Sequence, residues 1–98
     1  MVKTYRSSDG FEFKGLQYTG KNFKEFYDIL HDPDNKMGIF VPLGSNTIVL
    51  EDAQSLFFNF RNRHIELKKG DHFLYSRDTC IFGVFDNSEL KEEFKQVK

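Results

Sequence analysis

Apolar residues recur along this chain with two different periods, and the switches between them outline its elements. From Phe11 to Tyr18 the pattern alternates imperfectly, with Phe11, Phe13 and Gly15 set against Glu12, Lys14 and Leu16. A period of two is that of a strand, and a glycine inside it suggests a bulge at Gly15. At Phe23 the period lengthens. Phe23, Phe26, Tyr27 and Leu30 fall on one helical stripe. Asn22 and Glu25 stand at capping-box spacing before it, and Pro33 restricts Asp32 and cannot continue the ladder. The spacing predicts a helix from Asn22 to Leu30, ending near His31.

The remaining pattern is mostly short strands and turns. Ser7-Ser8-Asp9-Gly10 is a turn signal, and the ten residues that end there are expected to be loose or to add an edge strand through Val2 and Tyr5. Residues 32–38 read as a loop, Ile39 to Leu43 as a short strand demoted to an edge by Pro42, and Thr47 to Leu50 as its return. Glu51 to Ser55 fits a loop or one helical turn. Leu56, Phe58 and Phe60 alternate with Phe57 and Asn59, which predicts a strand. Arg63 to Leu67 and His72 to Ser76 read as a hairpin around Lys69-Gly70, with Cys80 to Phe85 pairing back across Arg77-Asp78. Asp86, with Glu89 three residues later, caps a last helix from Asn87 to Val97. Phe85 and Leu90 are placed as a staple, and Leu90, Phe94 and Val97 as its buried stripe.

The expected fold is α+β: a strongly bent, mainly antiparallel sheet of five or six strands with two short helices. One feature of the last hairpin sharpens this. Its one face offers Ile65, Leu67, Leu74 and Ile81, and its other offers Phe73, Tyr75, Cys80, Phe82 and Val84. A half-solvated antiparallel sheet is apolar on one face only. Either both faces are covered, by helices on one side and a curled continuation of the sheet on the other, or part of one face is an interaction surface. Coverage is the preferred reading.

Composition narrows the class. The 98 residues suit one domain, 1–98, with one modest core, and the 12 Phe exclude a disordered chain. Ala53 is the single alanine, so helices driven by propensity alone are not expected. A net charge of −1 gives no bulk attraction to nucleic acid or anionic membrane. No apolar run approaches the roughly 20 residues of a membrane span, and Met1 to Gly10 does not resemble a signal peptide. With Cys80 as the lone cysteine, no internal disulfide can form, and the expected compartment is the cytoplasm.

Candidate chemistry is sparse. His31, His64 and His72 are the histidines, and a strand register turning at Lys69-Gly70 places His64 and His72 on opposite faces, so no metal site is expected. The same register puts Cys80 opposite Tyr75 among apolar neighbours, where a cysteine is a small hydrophobe rather than a nucleophile. No catalytic spacing stands out, so the chain is expected not to be an enzyme and to need no cofactor. Aromatics and arginines interleave only from Phe57 to His64. Arg61, Arg63 and His64, with Phe57 and Tyr75 where exposed, are the candidate binding residues, because aromatics and arginine dominate interface hot spots. The plainer reading makes Phe58 and Phe60 core and leaves the arginines solvated. A nucleotide or single-stranded nucleic acid stacked there is a weaker alternative, given the neutral chain.

The order Tyr18-Thr19-Gly20-Lys21-Asn22-Phe23, then Lys69-Gly70-Asp71, then Phe82 with Phe85, then Leu90 and Phe94 resembles a widespread family of small phage and prophage proteins of unassigned function. The resemblance covers roughly Leu16 to Val97. Such proteins often carry proline where this chain has Lys69, and glycine in the following turn where it has Asp78-Thr79. The resemblance implies a phage-type accessory protein and carries no catalytic residue across. The expectation is therefore a non-enzymatic protein of the host-cell cytoplasm that binds and inhibits a host protein, such as a defence factor. A binder or sponge for a nucleotide signal and a minor virion assembly component are the alternatives. Self-association is left open, and no membrane contact is expected.

Overall fold

A computed structural model describes residues 2–31, 49–51, 55–60, 63–77, 79 and 81–97. The strand expected over Ile39 to Leu43, the loop at 32–38, Arg61 and Cys80 lie outside the described residues. The fold is α+β. Its elements are β1 (Lys3–Ser7), β2 (Glu12–Gln17), α1 (Phe23–His31), β3 (Val49–Glu51), β4 (Ser55–Phe60), β5 (Arg63–Lys68), β6 (His72–Tyr75), β7 (Phe82–Phe85), α2 (Asn87–Glu93) and β8 (Phe94–Val97). All neighbouring strands are antiparallel, but the strands divide between two sheets. The larger has the order β7-β6-β2-β1-β8 and the smaller β3-β4-β5.

The hairpin expected around Lys69-Gly70 is the main correction. The turn forms: Asp71 N–H donates to the Lys68 carbonyl at 2.9 Å, and Gly70 adopts φ 99°, which its missing side chain permits. The strands after it do not pair. β5 pairs with β4, and β6 pairs with β2 and β7. Tyr18 diverts the chain. Its carbonyl accepts from Gly70 N–H at 2.7 Å and its N–H donates to the Asp71 carbonyl at 2.9 Å. β6 is thereby zipped onto β2, with Leu16 opposite Phe73 and Gly15 opposite Leu74. The β6–β7 return does form, but with Phe82 opposite Tyr75, two residues beyond the expected register.

All four residues of β6 are buried, which explains its apolar residues on both faces. On one face Phe73 and Tyr75 join Leu16 and Tyr18 against Leu56, Phe58, Ile65 and Leu67 of the smaller sheet and Phe26 of α1. On the other face Leu74 packs with Tyr5 and Phe13 under Leu90 of α2. The two-sided cover expected for this strand is therefore present, whereas Ile81, assigned to the apolar set, is 56% exposed.

Both helices begin where the capping residues place them. Asp86 accepts from Glu89 N–H at 2.8 Å, and the Glu89 carboxylate takes Asp86 N–H at 3.1 Å, completing the expected box. At α1 the box is replaced by a brace. Asn22 Oδ1 accepts from Thr19 N–H at 2.9 Å and Nδ2 donates to the Gln17 carbonyl at 2.8 Å, so this side chain ties the helix entry to the end of β2. Phe23, Phe26 and Ile29 supply the inward stripe of α1, and Tyr27, expected there, is 46% exposed.

The last helix is shorter than its apolar spacing suggests. It ends at Glu93, and residues 94–97 run as β8 along β1, with Phe94 opposite Ser7 and Val97 opposite Thr4. α2 thus carries the chain across the sheet from one edge strand to the other. Phe94 meets Phe13 and Phe85 edge-on, each at 5.1 Å between ring centroids, and Val97 is exposed instead of buried. An extended backbone serves Phe94 as well as a helix would, and adds a ladder to the open side of β1. β1 becomes an internal strand for the same reason.

Tyr5 on β1 carries a testable consequence. Burial pushes its hydroxyl above the ordinary value of 10.0. The unfolded chain then releases this proton at lower pH than the folded one. The contribution is complete below about pH 10 and is lost as pH rises through the folded value. Between about pH 9.5 and 11 the wild type is expected to lose stability more steeply than Tyr5→Phe, measured by urea denaturation. Equal slopes would mean that Tyr5 ionises freely in the folded protein.

Candidate interaction face

The smaller sheet turns one face to the core and the other to solvent. Ile65 and Leu67 of β5 and Leu56 and Phe58 of β4 point inward. Half-buried Phe57 and exposed Asn59, His64, Glu66 and Lys68 occupy the alternate positions. The β4–β5 register sets Asn59 opposite His64 and Phe57 opposite Glu66. On this outer face the His64 ring stacks on Phe57, 5.7 Å between centroids and 28° between planes. Its Nδ1 lies 3.3 Å from Asn59 Oδ1, which fixes the ring from the side. Two expected residues, Phe57 and His64, are therefore in contact, and Asn59 is the partner that sequence reasoning omitted. Its signal was its place in the alternation, at a polar position between Phe58 and Phe60.

Arg63 and Tyr75 are placed differently. Arg63 belongs to the inward-facing set of β5, and its guanidinium carbon stands 5.5 Å from the centroid of the Phe82 ring on β7. It closes the gap between the two sheets at one end, a cation–π contact worth about 0.5–1 kcal/mol at such a site. Tyr75 is only 2% exposed and sits in the core between the sheets, so it is not an anchor on this surface. Its strand has cover on both faces, and that cover is invisible in local spacing.

The segments around Tyr18 and Gly70 meet in space although some 50 residues separate them. Tyr18 holds Gly70 and Asp71 through the backbone, Gln17 Nε2 donates to the Gly70 carbonyl at 3.1 Å, and the Lys69 stem lies against Gly20. Exposed Lys21, Lys68 and Lys69 make this junction cationic. Their backbone roles are structural. A separate groove of about 520 Å³ runs beside β8, lined by Arg6, Lys91 and Lys95 but also by Glu92 and Glu93.

His64 and His72 do not converge. His72 is buried on the larger sheet, where its Nε2 lies 2.7 Å from Asn87 Oδ1 and ties α2 down, while His64 is on the smaller sheet. Among the described residues no group of three or more His, Cys, Asp or Glu could hold a metal ion, and no helix is long and apolar enough to cross a membrane. These features define a two-sheet α+β protein with a small aromatic–imidazole patch on its outer sheet face. Comparison with protein-family models, curated proteins and solved structures finds no match.

Proposed function

We propose that this chain is a non-enzymatic binding protein, phage-encoded in keeping with its resemblance, that engages a host protein through the outer face of β4 and β5 and inhibits it by occlusion. The observation that supports this reading is the Phe57–His64 stack held by Asn59 on a solvent-facing sheet. Ordered aromatic surface costs little entropy on binding, and such residues concentrate interface energy. The nucleotide-binding alternative draws less support. It needs convergent arginines, and the Arg63 guanidinium faces Phe82 instead.

The test is capture of a host protein from lysate by the tagged full chain, compared with Phe57→Thr/His64→Thr. Threonine keeps the strand propensity, and Phe57 is only half buried. Capture is expected to fall at least about tenfold, in line with loss of a hot spot of roughly 2 kcal/mol. The denaturation midpoint should correspond to a loss below about 1 kcal/mol. Undiminished capture by a folded double variant would remove this face from consideration.

A further inference from the structure

The outer edge of β5 is self-complementary, and we propose that it pairs with β5 of a second copy of this chain about a two-fold axis through Ile65. The argument starts from backbone direction. In an antiparallel strand, alternate residues turn both N–H and C=O to the same side. Lys68 turns its pair away from β4: its N–H donates to Asp71 Oδ2 at 3.1 Å and its carbonyl accepts from Asp71 N–H at 2.9 Å. By alternation Glu66 and His64 turn theirs the same way, while Leu67, Ile65 and Arg63 turn theirs towards Leu56, Phe58 and Phe60, which stand opposite them on β4. Among the described residues β5 is the last strand of its sheet, because β6 leaves for the other one. Lys68 is satisfied by Asp71. Among the described residues nothing takes the outward backbone groups of His64 and Glu66.

A two-fold axis at Ile65 answers both residues at once. It sets His64 of each copy opposite Glu66 of the other as a hydrogen-bonded pair, so every outward N–H meets an outward carbonyl. The side chains agree with the backbone. Exposed imidazole faces exposed carboxylate across the strands, twice by symmetry, and a ring N–H can donate to it. A copy shifted by one residue would lose both matches. The inference shares the His64 side chain with the binding reading, but it turns on the edge of the strand, and its test reads oligomeric state rather than capture of a host protein. An edge of this length predicts a weak, concentration-dependent dimer in which the two smaller sheets join into one continuous sheet.

Sedimentation of the full chain over a range of concentrations tests this. The wild type is expected to pass from monomer to dimer as concentration rises towards about 1 mM. Glu66→Lys removes the acceptor opposite each imidazole and sets an ammonium there, and should weaken the dimer at least about tenfold. His64→Glu/Glu66→Lys sets a carboxylate opposite each ammonium and should restore it. A wild type that stays monomeric throughout overturns the proposal. So does a dimer indifferent to Glu66→Lys, or a double variant that fails to recover. The thermal melt of each variant in dilute solution confirms that it is folded.

Discussion

Phe58→Ala should cost about 4 kcal/mol, the upper part of the usual range for deleting a buried Phe. Phe58 is 1% exposed and stands where three elements meet. Its ring lies 6.5 Å from Phe26 of α1 and 5.3 Å, nearly perpendicular, from Phe73 of the larger sheet. Alanine there empties the space between the sheets, and β-sheet backbones on both sides resist collapse into it. Domains of this size have total stabilities of roughly 5–15 kcal/mol, so the variant should be close to unfolding at room temperature. Urea denaturation with an unchanged m-value would report the loss directly. A cost below about 2 kcal/mol would mean that the smaller sheet closes over the gap, and that the two sheets are not rigidly registered through this ring.

Gly15→Val should cost at least about 3 kcal/mol by overpacking rather than by a cavity. The alternation in the sequence suggests a bulge at this glycine. The structure has none: the ladder is continuous on both sides, with Gly15 opposite Lys3 on β1 and Leu74 on β6. Glycine is required for space. A Cβ added there would stand 2.8 Å from Tyr5 Cε2 and 3.1 Å from Leu74 Cδ1. Tyr5 is itself buried beneath α2, so its ring has little room to withdraw. Gly15→Ala should cost less than valine but remain destabilising. Pairing Gly15→Ala with Tyr5→Leu, which removes the ring, should recover part of the loss. Independent, additive costs for those two changes would show that the ring is not what excludes the side chain.

Much of the local structure was legible because its causes are local. The Asp86–Glu89 box, the turn at Gly70, the start of α1 after Asn22 and the alternation through β4 and β5 depend on residues within a few positions of each other. The α+β class follows from the same patterns. Of the candidate site, the Phe57–His64 contact was foreshadowed by the spacing of aromatics, while Asn59 was passed over and Tyr75, included only where exposed, is buried.

Tertiary structure decided which strand each strand joins. A turn at Lys69-Gly70 reverses the chain whether or not the flanking strands pair, and Tyr18, some 50 residues earlier, supplied the better backbone partner. The end of α2 was decided in the same way. Leu90 and Phe94 are equally apolar at helical or extended spacing, and only the open side of β1 selects a strand for residues 94–97. Sequence determines periods, caps and turns because those interactions lie within one element. Pairing, register and the need for glycine at residue 15 arise from groups that meet only after the chain has collapsed.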